Sequence, residues 1–198
     1  MDATTIVGVV AFALSAVQVV QMTRSVTTSS DPSGVSSATW LILLAQGVAW
    51  VVFGLAEGLW PSVAINALLV MMALLVVLKL LPGRPFGVVL VAGGAMATIC
   101  ALLAAGGSTP LVGWIAAACA IVAFIPQATA LARTRDTSGL SLGSWTIGLV
   151  GVTCWLLYGI GLGTTQIVVS SVPPLVCSII IVAALLRERL EVIEVSPA

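Results

Sequence analysis

Apolar residues run along this 198-residue chain in seven long stretches, separated by short segments rich in glycine, proline, polar or charged residues. The stretches lie at about 4–23, 38–56, 61–81, 86–106, 110–132, 144–162 and 166–186. Each is close to the roughly 20 residues that an α-helix needs to cross a hydrocarbon core of about 30 Å. Because lipid satisfies no backbone hydrogen bond, the pattern predicts an all-α integral membrane protein with seven transmembrane helices.

The composition supports a membrane protein and excludes several other classes. Apolar residues make up 60% of the chain and charged residues only 7%, against about 25% charged residues in soluble domains. Seven basic and seven acidic residues cancel, so no basic surface is available for nucleic acid. Histidine is absent, and the four cysteines stand singly within apolar stretches. We therefore expect no metal site, no cofactor and no enzymatic centre.

The positive charges predict how the chain is oriented. With seven crossings, the first, third and fifth connections share one side of the membrane with the C-terminal tail. All seven cations lie in or beside these segments: Arg24, Lys79, Arg84, Arg133, Arg135, Arg187 and Arg189. Since basic residues are retained on the cytoplasmic side, we expect the N-terminus outside and the C-terminus in the cytoplasm. The expected location is the plasma membrane.

The chain contains an internal repeat. Residues 33–58 align with residues 138–163 at a constant offset of 105, and nine of the 26 positions are identical. Paired tryptophans and glycines account for much of the match: Trp40 with Trp145, Trp50 with Trp155, Gly54 with Gly159 and Gly58 with Gly163. Upstream, pairing Gln18 with Gln127 changes the offset to 109, which implies a four-residue insertion in the first loop.

The repeat predicts three helices, one connecting helix and three further helices. Two directly fused three-helix units would be inverted, because three crossings return the chain on the opposite side. One additional crossing makes the two units parallel about an axis along the membrane normal, which is a transporter architecture. We expect a first repeat at 1–81, a linker helix at 82–109, a second repeat at 110–187 and a cytoplasmic tail at 188–198.

Two motifs resemble a known family. Phe124-Ile125-Pro126-Gln127, followed by a basic pair and by Ser138-Gly139-Leu140-Ser141, resembles the PQ-loop signature. The order of Trp, Tyr-Gly, Pro and Asn on the helices that follow resembles the SWEET and SemiSWEET sugar transporters of the PQ-loop superfamily. The resemblance covers both three-helix units and implies a transporter rather than an enzyme.

Deep polar and aromatic residues form the candidate substrate site. Trp50 and Trp155 lie ten residues beyond the tryptophans that open their helices, about 15 Å from the interface and too deep for an interfacial belt. Asn66 follows Trp50 by sixteen residues across a turn, and Ser171 follows Trp155 at the same spacing. An indole can cover the face of a sugar ring, and a carboxamide can bond its hydroxyls. The resemblance implies that Trp50 and Asn66 form the substrate-binding pair.

Packing is the alternative interpretation of these side chains. The two deep tryptophans are equally suited to a helix core, and Asn66 to a hydrogen bond between helices. Ser171 stands where the family usually has asparagine, which leaves open which sugar is taken, or whether sugar is taken at all.

Prolines inside the predicted helices indicate hinges. Pro126 removes a backbone hydrogen bond from the fifth span, and Pro173-Pro174 do the same in the seventh. The resemblance assigns the PQ turn to hinging during alternating access. In the first repeat Val17 replaces the proline before Gln18, so helix 1 is expected to move less or to be a static wall. The candidate hinge and gate residues are Gln18, Pro126, Gln127, Tyr158, Pro173 and Pro174.

The chain lacks the groups that couple transport to ions. No Asp, Glu, Lys or Arg lies deep in a predicted span, and Glu57 stands at an outer turn. Driven carriers normally place such a group within the membrane. We therefore predict facilitative, bidirectional uniport of a small neutral sugar, a mono- or disaccharide, by alternating access. A PQ-loop carrier of another metabolite such as a neutral amino acid stays open, as do a non-transporting receptor or adaptor and a homo-oligomer.

Both long polar loops should lie on the cytoplasmic side. In a chain whose native cysteines are replaced by alanine, Ser30→Cys and Thr137→Cys should each resist a membrane-impermeant maleimide in intact cells. Both should react once the membrane is permeabilised. Labelling of the two loops from opposite sides would contradict the parallel repeats.

Overall fold

The structure, a computed structural model, describes residues 1–30, 35–81, 86–134 and 142–195; side chains are described there except for Phe86 and residues 88–90, 92, 124–134 and 188–195. Seven helices occupy these ranges: α1 (Ala3–Thr28), α2 (Ser37–Glu57), α3 (Trp60–Leu80), α4 (Phe86–Ala105), α5 (Thr109–Thr134), α6 (Leu142–Leu162) and α7 (Thr165–Val195). The prediction of an all-α chain with seven helices is confirmed.

The helices have the length and surface of membrane spans. Within the described residues, five segments are long and apolar enough to cross a membrane: Ala3–Thr28, Ser37–Glu57, Trp60–Leu80, Leu142–Leu162 and Thr165–Arg187. Shorter apolar stretches, Gly93–Ala105 and Thr109–Ala123, lie in α4 and α5. Large apolar side chains such as Val91 and Ile160 are exposed on the outside of the bundle. This is the pattern of a multi-pass integral membrane protein.

The C-terminal end of α1 extends five residues beyond the predicted span, into the segment expected as a loop. Thr28 Oγ1 donates to Arg24 O at 2.7 Å, so this polar side chain is satisfied within the helix. Lys79 Nζ, from α3, donates to Thr27 O at 2.6 Å and to Ser29 O at 2.7 Å. The ammonium group satisfies carbonyls at the helix end and opposes the negative end of its dipole. The polar residues after 23 therefore belong to the helix and its cap.

Local caps determine several other helix ends. Asp2 accepts a hydrogen bond from Thr5 N at 2.7 Å at the start of α1, and hydrogen bonding from Thr5 holds the pKa of this carboxyl below its ordinary value. Gly58 and Gly163 follow α2 and α6 with φ of 70° and 68°, a left-handed conformation that glycine adopts without steric cost. The last helix, α7, continues to Val195 and includes most of the segment expected as a tail.

The helix bounds repeat along the chain. α2 and α6 begin and end 105 residues apart, and α3 and α7 begin 105 residues apart. α1 and α5 are both 26 residues long and are offset by 106. These bounds do not support the 109-residue offset and the four-residue insertion that the pairing of Gln18 with Gln127 implies.

The helices pack with the same symmetry. In the first repeat α3 packs against α1 and α2, and in the second α7 packs against α5 and α6. Between the repeats, α1 packs along α6 and α2 packs along α5. These contacts close a ring in the order α1, α3, α2, α5, α7, α6, while α4 packs against α2 and α5. Each repeat thus supplies three helices to the ring.

Three clusters of buried side chains lie within the bundle. The shared cluster contains residues of both repeats and of α4: Ala49, Trp50, Phe53, Leu59, Cys100, Val112, Ala116, Ala117, Tyr158 and Ile167. Toward the opposite end, the first repeat has a cluster of its own, formed by Val26, Trp40, Leu44, Ala73, Val76 and Val77. The second has Cys177, Ile181 and Leu185. Among the described side chains, the repeats therefore share a core at one end and have separate cores at the other.

Candidate functional site

Two edge-to-face aromatic pairs occupy equivalent positions in α2 and α6. The ring centroids of Trp50 and Phe53 are 5.6 Å apart at 75°, and those of Trp155 and Tyr158 are 5.6 Å apart at 78°. Such pairs stabilise a fold by roughly 0.5–1.5 kcal/mol in addition to the effect of burying their apolar surface. Three of the four rings belong to the shared cluster, and Trp155 packs against it. The structure therefore places both predicted tryptophans, and the predicted gate residue Tyr158, around one cluster between the repeats.

Each partner ring lies against a glycine of the other repeat. A Cβ at Gly8 of α1 would stand 2.7 Å from the Tyr158 ring, and one at Gly113 of α5 would stand 2.7 Å from the Phe53 ring. Both distances are below a van der Waals contact of about 3.5 Å, so a larger residue would force the helices or rings apart. The aromatic pairs thus lie at the boundary between the two repeats, where α1 meets α6 and α2 meets α5.

Asn66 lies in α3 with 8% of its surface exposed. Its Nδ2 donates to Ser62 O at 2.8 Å and lies 3.4 Å from Ser62 Oγ. The amide nitrogen thus donates to both oxygens of Ser62, while the Oδ1 acceptor can serve a ligand. Both described partners belong to α3, so the interhelical hydrogen bond considered from the sequence is not among the described contacts of Asn66.

Ser171 occupies the equivalent position in α7 and is also buried. Its Oγ donates to Ile167 O at 2.7 Å, and Ser170 Oγ donates to the same carbonyl at 3.0 Å. A hydroxyl whose proton is committed in this way can only accept a hydrogen bond from a ligand. We call Trp50 and Asn66 the first half-site, and Trp155 and Ser171 the second. The first half-site offers the Asn66 Oδ1 as an acceptor, and the second offers the Ser171 Oγ.

Two of the predicted hinge residues lie close to the second half-site. Pro173 and Pro174 stand inside α7, within one turn after Ser171. Since proline has no N–H, the carbonyls of Val169 and Ser170 lose their usual partners four residues on. α7 nevertheless continues as one helix from Thr165. The missing hydrogen bonds make this part of α7 easier to bend than an uninterrupted helix.

The remaining predicted hinge residues lie on α1 and α5. Gln18 faces α6, where a Cβ at Gly148 would stand 2.8 Å from Gln18 Nε2. Pro126 and Gln127 lie within α5, but their side chains are outside the described part of the structure. The structure therefore brings Gln18 to the boundary between the repeats.

Sequence reasoning missed four polar side chains in this region. Trp155 Nε1 donates to Ser15 Oγ at 2.9 Å across the α1–α6 contact. Ser144 Oγ donates to Gln21 Oε1 at 3.4 Å in the same contact. In α2, Gln46 Oε1 is buried and has no hydrogen-bond partner among the described residues. At the 105-residue offset none of Ser15, Gln21 and Gln46 is matched by an identical residue in the other repeat, so the repeat could not have identified them.

Comparison with known sequences identifies the family. The family model described as the PQ loop repeat matches residues 110–168. The sequence is 34% identical over 61 residues to the sugar transporter SemiSWEET of Bradyrhizobium diazoefficiens, a match that spans 31% of this chain and 71% of that protein. The chain belongs to the SWEET and SemiSWEET family. The members of this family are transporters, so the expectation that the chain is not an enzyme is confirmed.

A solved structure supports the same architecture. The 3.7 Å structure of a eukaryotic SWEET transporter matches this SWEET-family chain with a TM-score of 0.71 and 12% sequence identity. The match covers 92% of this chain and 97% of that one. At this identity the likeness concerns the fold, and it confirms the predicted SWEET-like arrangement of seven helices.

Alanine at Gly8 or Gly113 should destabilise the protein. The new Cβ would collide with the Tyr158 or Phe53 ring, and overpacking of this kind costs about 1–3 kcal/mol. The expected result is a lower melting temperature of the purified protein in detergent. Gly94→Ala is the matched control, because a Cβ there meets nothing within 4 Å and alanine favours the helix. An equal loss in the control would contradict the role given to the close contacts.

Proposed function

We propose that this SWEET-family protein is a facilitative carrier that moves a small neutral sugar in either direction by alternating access. The observation that carries the proposal is the position of Trp50 and Trp155 around one buried cluster between the repeats, with Asn66 and Ser171 at equivalent positions of α3 and α7. Indole faces pack against the C–H faces of a sugar ring, and amide and hydroxyl groups bond its hydroxyls. All four side chains are neutral, which suits an uncharged substrate.

The matched relatives support a sugar as the substrate. SemiSWEET of Bradyrhizobium diazoefficiens is a sugar transporter, and the matched solved structure is that of a SWEET transporter. The polar groups of the two half-sites can serve the hydroxyls of a sugar ring, whereas neither half-site carries a cation for the carboxylate of an amino acid. A mono- or disaccharide is therefore the substrate class that we propose.

The distribution of charge supports uniport. Among the side chains that the structure describes, Asp2, Arg24, Glu57 and Lys79 lie near helix ends, and Arg187 lies at the end of the apolar span Thr165–Arg187. Coupling to an ion gradient normally requires a charged or titratable group within the membrane. A carrier without such a group equilibrates its substrate across the membrane and does not concentrate it.

The arrangement of the buried clusters supports alternating access. The repeats share a core near the turns at Gly58 and Gly163, and their described cores at the opposite end are separate. In an alternating-access cycle the halves pack together on one side of the site and separate on the other. The prolines of α7 lower the cost of the bending that such a movement needs.

We further propose the orientation that the basic residues favour. Arg24, Lys79 and Arg187 stand toward the end of the bundle opposite to Glu57. Under the positive-inside rule this end faces the cytoplasm, which puts the N-terminus outside the cell. The proposed division is a first repeat at 1–81, a linker helix at 82–109, a second repeat at 110–187 and a cytoplasmic tail, in the plasma membrane.

Asn66→Ala should abolish most transport and leave the protein folded. A lost hydrogen bond to an uncharged partner costs about 0.5–1.5 kcal/mol, and loss of two costs up to about 3 kcal/mol. That corresponds to a few-fold to roughly a hundred-fold loss of affinity. The measurement is uptake of labelled mono- and disaccharides, beside neutral amino acids, into proteoliposomes, normalised to folded protein. Preference for an amino acid would contradict the sugar assignment.

Tryptophan variants provide the controls for this measurement. Trp50→Ala should lose a similar amount of affinity, and Trp50→Phe should retain part of the stacking. Trp40 is buried in the separate cluster of the first repeat, so Trp40→Ala should lower stability more than affinity. If Asn66→Ala lowers the melting temperature and leaves uptake per folded molecule unchanged, Asn66 has a structural role and the site assignment is wrong.

Uptake should be independent of the proton gradient. Proteoliposomes with an imposed pH difference should accumulate sugar only to equilibrium, with the same initial rate before and after a protonophore is added. Glu57→Gln should behave like the unmodified protein. Uphill accumulation driven by the pH difference would contradict uniport, and its loss in Glu57→Gln would identify the coupling group.

A further inference from the structure

The two half-sites differ in how their indole rings are held. Trp155 Nε1 donates to Ser15 Oγ at 2.9 Å, a hydrogen bond that joins α6 of the second repeat to α1 of the first. Tyr158 meets the same indole edge to face from its own helix. A directional hydrogen bond from one helix and a ring contact from another restrict the Trp155 indole to one orientation.

A small residue in α6 faces α1 beside this hydrogen bond. A Cβ at Gly151, one turn before Trp155, would stand 3.5 Å from Leu14 Cβ and 3.8 Å from Ser15 Oγ. These are ordinary van der Waals distances, so a methyl group would just fill the space between the two helices. A long side chain at position 151 would occupy the space between them.

The α5 positions equivalent to Ser15 supply no such hydrogen bond to the first half-site. At the 105 to 106 residue offset between the repeats, the positions equivalent to Ser15 are Ala120 and Ile121, whose side chains cannot accept a hydrogen bond. Gln46 stands in place of Gly151. The Trp50 N–H thus lacks the serine that engages the Trp155 N–H.

We propose that Ser15 is a positioning residue, whose hydroxyl holds the Trp155 indole so that the second half-site presents a fixed aromatic face to the substrate. Trp50, without such a serine, keeps its N–H for a substrate hydroxyl. The two tryptophans then have unequal roles: Trp155 is a stacking surface, and Trp50 stacks and donates. The inference rests on the proposed function of this site.

Steady-state uptake of labelled glucose and labelled sucrose into proteoliposomes tests the positioning role. Ser15→Ala should raise the KM of the transported sugar about three- to tenfold and change Vmax less than about twofold, as expected when one neutral hydrogen bond ceases to orient a binding group. Ser15→Thr keeps the hydroxyl and should restore the KM. In a Trp155→Phe background, which has no N–H, Ser15→Ala should raise the KM no further.

Ser25→Ala is the matched control, since Ser25 is an exposed serine of the same helix, and both kinetic constants should stay unchanged. The same rise in KM in the Trp155→Phe background would overturn the proposal, because Ser15 would then contact the sugar itself. An unchanged KM in Ser15→Ala would overturn it as well.

A spectroscopic measurement tests the hydrogen bond without transport. In ¹⁵N-labelled protein in detergent micelles, the indole resonance that disappears in Trp155→Phe should move upfield and exchange faster with water in Ser15→Ala. It should return to its original position in Ser15→Thr. An unchanged resonance in Ser15→Ala would overturn the positioning role, whatever the substrate. If neither sugar nor any other in the panel enters the proteoliposomes, the proposed function fails, and this resonance still reports on the hydrogen bond.

Discussion

The contact between a glycine of one repeat and an aromatic ring of the other is the constraint on which the rest of the structure depends. Gly8 meets Tyr158 and Gly113 meets Phe53 at equivalent places on the two sides of the ring of helices. Lipid tails are as apolar as the side chains, so helices in a bilayer associate through close packing at small residues and through polar contacts. Because the same rings pack edge to face on the deep tryptophans, the contacts that join the repeats also position the candidate site.

The two repeats share their fold but differ in the hydrogen bonds that hold their helices. In the first, Lys79 binds carbonyls at the end of α1, where the second repeat has Ala184, which cannot donate such a bond. In the second, Pro173 and Pro174 remove backbone hydrogen bonds from α7, where the first repeat has two leucines. An ion–carbonyl cap stiffens a helix end, and a missing hydrogen bond makes bending easier. This difference supports the prediction that the first repeat moves less.

Hydropathy predicted five of the seven helices to within two residues at each end, because lipid leaves a chain few alternatives to a continuous helix. It failed at the C-terminal ends of α1 and α7. The segment around Thr28 has the composition of a loop, but its hydroxyls bond carbonyls of the preceding turn and Lys79 caps it from another helix. The bounds of α1 and α5 do not support the pairing of Gln18 with Gln127 either, because a short sequence identity cannot locate an insertion.

The sequence by itself determined the number of helices, the duplication and the identity of the paired tryptophans. The helices follow from the length of each apolar stretch, which must satisfy its own backbone hydrogen bonds in lipid. The duplication and the paired tryptophans follow from repeated residue types. Only the tertiary structure decided that Ser15 holds the Trp155 indole from 140 residues away, and that the two repeats share a core at one end. It also decided that Asn66 commits its amide nitrogen to its own helix. Hydropathy and spacing report what each helix does locally. A hydrogen bond between helices depends on how closely the helices cross and on which side chains face each other at the crossing. Neither property can be inferred from the periodicity of the sequence.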